Sequence, residues 1–127
     1  MKKILALLVT LLLTASVVAL PAFAGTLDEI QKRGVLRVGM EPGYMPFELT
    51  NKKGEIVGFD VDMAKRMAKA MDVKLELVST AWDGIIPALQ AGKFDAIVAS
   101  MSITPERQQK VDFTHKYYNT PSAIAVP

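Results

Sequence analysis

Three short apolar runs, alternating with stretches of helical period, restrict the fold of this chain more than any other feature of its sequence. The runs are VLRVGM at residues 35–40, KLELVST at 74–80 and FDAIVAS at 94–100. Their length suits strands, the first and third reading as near-continuous apolar runs and the second alternating Leu75 and Leu77 against Glu76. Between the first two lies the clearest helical pattern, residues 60–71. There Val61, Ala64, Ala68 and Met71 recur at helical spacing, with Met63 and Met67 beside them and Lys65, Arg66 and Lys69 on the other side. Between the second and third, Asp83 is expected to cap a helix holding Ile85, Ile86 and Leu89, with Pro87 in its first turn and Gly92 ending it. Strands alternating with helices in this way predict an α/β fold, a parallel-type sheet with helices on both faces and right-handed crossovers.

The flanks add smaller elements. Thr26 caps a short expected helix over residues 26–32, with Asp28 and Glu29 in its first turn, Leu27 and Ile30 to pack and Gly34 to stop it. Two extended pieces, residues 47–50 and 56–58, flank an Asn51-Lys52-Lys53-Gly54 turn. Thr104-Pro105 opens a helix expected to reach about Lys110, and residues 113–127 read as extended.

The first 24 residues are unlike the rest. Lys2 and Lys3 precede a 17-residue apolar run over residues 4–20, and Ala22-Phe23-Ala24 puts small residues at the two positions a signal peptidase reads. This predicts a secretory signal peptide cut after Ala24, and no stable membrane insertion once it is removed. An uncleaved anchor is disfavoured by the short run and by the small-x-small site. Gly25 follows the expected cut, so no cysteine is available there for lipid attachment. Lys2 and Lys3 account for the formal net charge of +2, so the chain beyond the leader is formally neutral and carries no basic footprint for nucleic acid. The absence of cysteine excludes disulfides, thiolate metal sites and thiol nucleophiles.

In open parallel sheets ligands bind beyond the carboxyl ends of the strands, which here means the loops 41–47, 79–83 and 100–107. The third combines Ser100, Ser102 and Thr104 with a helix start and Arg107. Free amides at a positive helix end favour an anion, and Arg107 adds a fork suited to a planar carboxylate. The plainer alternative is that Thr104 caps the helix while Arg107 pairs with Asp112 or solvent. Tyr44, Phe47 and Trp82 are loop aromatics able to pack against a ligand or to close the end of the core, which is the expected role of Phe47. Glu41 sits just past a strand end, where it either receives a positive or amide group or is solvated. The sole histidine, His115, has no catalytic or metal-binding partners at recognisable spacing and is expected at the surface.

Taken in order, LDEIQKRGVLRVG, YMPFE, GEIVGFDVDMAKRMAKAM and AWDGIIPALQAGKFDAIVASMSITPERQQKVDFTHKYY resemble the N-terminal lobe of the periplasmic solute-binding proteins for polar amino acids. The resemblance implies lobe one of a two-lobed fold over residues 25–118, with residues 119–127 beginning the first hinge crossover and the second lobe absent. It implies a non-catalytic protein without cofactor that binds a free amino acid in the periplasm and delivers it to the permease of an ABC transporter. By the same resemblance, Arg107, Ser102 and Ser100 hold the ligand's α-carboxylate and Tyr44 and Trp82 sandwich its side chain. Glu41 meets a side-chain amine or amide, and the carbonyl of Ala99 accepts from the α-ammonium. Glu41 leans the expectation toward a cationic or amide side chain.

Two other readings stay open. Some relatives of this fold are periplasmic dehydratases, which need a positioned acid or base, for which the sequence offers Glu41 and His115. A ligand-sensing or assembly module is the other. A half-site without its second lobe is expected to bind weakly, since its charge-assisted bonds compete with water. It is also expected to lack the return strand that borders the lobe-one sheet. Residues 25–127 should therefore unfold broadly at low temperature and associate through a bare sheet edge; a sharp monomeric transition in scanning calorimetry and ultracentrifugation would contradict this.

Overall fold

The computed structural model describes residues 26–119. The expected signal peptide and its cut lie outside the described residues, as does the expected crossover strand beyond Asn119. In chain order the elements are α1 (Thr26–Arg33), β1 (Val35–Met40), β2 (Leu49–Thr50), β3 (Ile56–Val57), α2 (Phe59–Ala70), β4 (Lys74–Ser79), α3 (Trp82–Gln90), β5 (Ala96–Ile97) and α4 (Pro105–Gln108). The expected α/β architecture is present. Among the described residues no helix is long and apolar enough to cross a membrane.

β1 is the middle strand of a three-stranded parallel sheet of order β4-β1-β5. β4 runs along its whole length, from Val35 opposite Lys74 to Met40 opposite Ser79, and β5 pairs Ala96 with Val38 and Ile97 with Gly39. Because β4 and β5 lie on opposite sides of β1, right-handed crossovers put α2 and α3 on opposite faces. Leu36, Val38 and Met40, pointing to one face of β1, are buried together with Val61, Ala64 and Ala68 of α2. Side chains of the size of Leu36 or Val38 contribute about 1.5–3 kcal/mol each when fully buried. On the other face Gly39 leaves room for the buried ring of Phe94, which occupies the space a Cβ would need.

The amino-terminal end of the sheet is clasped by Asp95. Its carboxylate accepts from the Arg37 amide at 2.8 Å, the Arg37 guanidinium at 3.0 Å and the Arg33 guanidinium, tying the approach of β5 to β1 and α1. Burial would raise the pKa of Asp95, but the bonds from Arg37 and Arg33 outweigh it and hold the carboxyl below its ordinary range.

A small antiparallel hairpin, β2 with β3, turns at residues 51–54, as the sequence predicts. Asn51 sets that turn by accepting from the amides of Lys53 at 2.8 Å and Glu55 at 3.0 Å. The hairpin carries the loop after β1 onto the start of α2. Gly58, at φ 136°, lies so close to the Phe47 carbonyl that no side chain fits there. The first α2 amides then meet backbone rather than a capping side chain, with Phe59 N–H donating to Pro46 O at 3.2 Å and Asp60 N–H to Phe47 O at 2.9 Å. Phe47 is buried, its ring packed against Tyr44, Phe59 and Tyr118 rather than within the main core cluster.

Four details differ from the sequence expectation. Asp83 does not cap α3; the helix starts two residues earlier than expected, at Trp82, and its cap is Ala81, whose carbonyl accepts from Gly84 N–H at 3.0 Å. Pro87 consequently sits in the second turn, where its missing N–H deprives the Asp83 carbonyl of a helical partner. The third strand is confined to Ala96 and Ile97, although Asp95 N–H to Arg37 O and Val98 N–H to Gly39 O continue its bonding to β1. α4 is a single turn that stops at Gln108 rather than near Lys110.

The packing of Phe94 against Gly39 gives a direct test. Gly39→Ala should destabilise the protein by about 1–3 kcal/mol in urea denaturation, through overpacking, and Phe94→Leu in that background should recover part of the loss.

Candidate functional site

All three strands point the same way, so their carboxyl ends share one edge of the sheet. A groove of about 450 Å³ opens there, lined by Glu41, Gly43, Tyr44, Glu48, Trp82, Ala99, Ser100, Ser102 and Arg107. All seven residues singled out from the sequence lie in that lining. Glu41 and Tyr44 come from the loop after β1, Trp82 from the start of α3, and Ala99, Ser100, Ser102 and Arg107 from the segment after β5. Its volume falls in the range of small-molecule sites.

Arg107 is held by two contacts. Its Nη1 donates to the Ser102 carbonyl at 2.8 Å, and its guanidinium carbon lies 5.4 Å from the centroid of the Trp82 ring. The second is a cation–π arrangement that orients the planar fork while leaving N–H groups for an anion. The ion pairs among the described residues involve Arg33, Arg37 and Lys65, so Arg107 is not paired with Asp112.

Thr104 does cap α4, accepting from Arg107 N–H at 3.3 Å. The expectation that free amides at this helix start attract an anion is not met. Pro105 has no N–H, Arg107 N–H is taken by Thr104, and Glu106 N–H meets its own carboxyl. That bond, with the Thr104 hydroxyl, holds the exposed Glu106 carboxyl below its ordinary range. The groups of this segment still able to meet an anion are the N–H groups of the Arg107 side chain and the Ser102 hydroxyl.

Ser100 is the most constrained residue of the groove. It has φ 46°, a left-handed conformation that costs a non-glycine residue roughly 1–3 kcal/mol and that other contacts must enforce. Its N–H donates to the Tyr117 hydroxyl oxygen at 2.8 Å and its hydroxyl donates to Asp60 Oδ2 at 2.9 Å. Both donors of Ser100 are thus engaged, so it offers the groove oxygen lone pairs, which suit an ammonium rather than the carboxylate expected from the sequence. Burial, first, and the nearby Asp60 push the Tyr117 phenol up to about 12, against the lowering effect of its bond to Ser100.

Beneath Ser100 lie two acids that sequence reasoning missed as site residues. Asp60 is fully buried and Glu48 is 1% exposed. Burial, then the hydrogen bond to Asp60, then the charges of Asp60 and Glu41 push the Glu48 carboxyl up to about 8. This environment favours the protonated form of Glu48 beside Asp60. His115 is exposed and lines a neighbouring cavity of about 280 Å³ rather than the groove.

Residues 36–127 match the bacterial extracellular solute-binding proteins, family 3. The chain belongs to that family. This family 3 protein is 47% identical over 126 residues to the L-arginine-binding protein of Pseudomonas aeruginosa, covering 99% of this chain and 45% of that protein. It spans less than half the length of that relative. Domain 1 of TmArgBP, the arginine-binding protein of T. maritima, solved in an arginine-bound form, is 45% identical with a TM-score of 0.71, covering 72% of each chain. An ancestral amino-acid-binding protein, AncCDT-1, described as a precursor of cyclohexadienyl dehydratase, is 58% identical with a TM-score of 0.71, covering 73% of this chain and 41% of that one. The α/β lobe is thus a solute-binding fold.

The buried proton on Glu48 has a thermodynamic signature. A carboxyl whose pKa rises on folding from about 4.5 to about 8 stabilises the folded state fully below its unfolded pKa and loses that contribution as pH rises through the folded one. Urea denaturation should therefore show a stability component that declines between about pH 4.5 and 8, and Glu48→Gln should remove that decline.

Proposed function

We propose that this protein captures a free amino acid with a cationic side chain, arginine first among them, in the periplasm and delivers it to the permease of an ABC-type transporter. Residues 1–24 act as the secretory leader in this reading, with cleavage after Ala24. The observation that carries the proposal is the Arg107 guanidinium, stacked on Trp82 and unpaired with any carboxylate among the described residues, in one groove with Glu41 and Tyr44.

In the bound state the ligand's α-carboxylate takes the free N–H groups of Arg107 and the Ser102 hydroxyl. Its α-ammonium takes the lone pairs of Ser100 and the Ala99 carbonyl. Tyr44 and Trp82 flank the side chain, and Glu41, exposed at the rim, receives its positive end. Support for arginine comes from the Pseudomonas relative named for it. Support for binding by one lobe comes from the arginine-bound form of TmArgBP domain 1. The dehydratase reading draws on AncCDT-1, but His115, one of its two candidate acid–base groups, lies outside the groove.

Isothermal titration against a panel of amino acids should show carboxylate-dependent binding, tightest for a cationic side chain. Arg107→Ala should weaken it at least tenfold, the scale of a lost charge-assisted hydrogen bond. Equal affinity in parent and variant would remove Arg107 from the site.

A further inference from the structure

We propose that Glu48 and Asp60 form a buried counter-charge for the ligand's ammonium group, Glu48 releasing its proton when that group is seated on Ser100. The inference rests on the groove being the amino-acid site, and it adds two positioning residues and a proton exchange to it.

Three observations meet here. Glu48 Oε2 and Asp60 Oδ1 are both buried with no hydrogen-bond partner, an arrangement that a proton on Glu48 directed at Asp60 would satisfy. Two adjacent carboxyls out of water do not both ionise unless a positive charge arrives. Ser100 is the route by which one arrives. Its hydroxyl hydrogen is committed to Asp60 and its N–H to Tyr117, so its outward lone pairs accept from an N–H donor, and Glu48 lines the same groove.

The other charged and titratable groups facing the pair are Glu41 in the loop after β1 and Tyr117 in the segment before Asn119. Tyr44 and Arg107 lie in the same groove lining. Arg107 is the one cation of this set and is taken up by the ligand's carboxylate. The ligand's ammonium is then the positive charge best placed to favour the doubly ionised pair. The exchange balances simply: the O–H bond of the Glu48 carboxyl breaks, its proton passes to buffer, and the carboxylate that remains is compensated by the bound ammonium.

Titration calorimetry of the protein with L-arginine at pH 7, in phosphate and in Tris, reads the exchange directly. A difference in apparent enthalpy corresponding to release of up to one proton is expected. The affinity should rise by up to tenfold per pH unit between pH 6 and 8 and level off above about 8, where Glu48 is already ionised. Glu48→Gln, checked for folding by near-ultraviolet circular dichroism, should bind with the same enthalpy in both buffers and a flat pH profile. Wild-type binding with buffer-independent enthalpy, or with proton uptake, would overturn the inference while leaving the groove as the binding site. Failure of the wild type to bind any amino acid would overturn both.

Discussion

The parallel pairing of β1 with a strand on each side is the constraint from which the rest of the molecule follows. It buries Leu36, Val38 and Met40 as one face of the core. It also sends the chain away in opposite directions after β1 and after β4, so that α2 and α3 cover opposite faces. Most important for function, it brings the loops after β1, β4 and β5 to a single edge. Residues as distant in sequence as Glu41 and Arg107 meet there because three strands share a direction.

Within that edge, polarity is divided. Arg107 and the Ser102 hydroxyl offer positive charge and a donor. Glu41, the lone pairs of Ser100 and the carboxyls beneath offer negative charge and acceptors. Such a groove complements a zwitterion better than a simple anion or cation, and its aromatic members, Tyr44 and Trp82, suit a long planar or aliphatic side chain. The strained backbone of Ser100 marks where this arrangement is enforced, with Tyr117 and Asp60 holding the residue from two sides.

Much of this was legible in the sequence. β1 was read to the residue because its apolar run ends at Gly34 on one side and at a proline-rich loop on the other. Six of the seven groove residues sit in loops at strand ends, which periodicity locates and a parallel sheet brings together, while Ala99, inside the third apolar run, was assigned only by the family resemblance. The rest depended on tertiary contacts that periodicity does not record. Glu48 falls in an expected extended piece and Asp60 at a helix start, and their burial depends on how the hairpin and α2 pack together, which neither pattern records. The amides of α4 looked free, although Pro105 already signalled that one was missing; the carboxyl of Glu106 and the hydroxyl of Thr104 removed two more. The premature end of the third strand at Ile97 and the early start of α3 at Trp82 are likewise settled by which backbone groups find partners.

Trp82 is the only tryptophan in the chain and forms one wall of the groove, so its fluorescence reports on the site alone. The central claim is that Arg107 and Ser102 grip the ligand's carboxylate beside that ring. Titration with L-arginine should produce a saturable change in Trp82 emission, and agmatine, which keeps the guanidinium but lacks the carboxylate, should produce it only at concentrations at least tenfold higher. An emission unchanged by arginine, or changed equally by agmatine, would contradict the account.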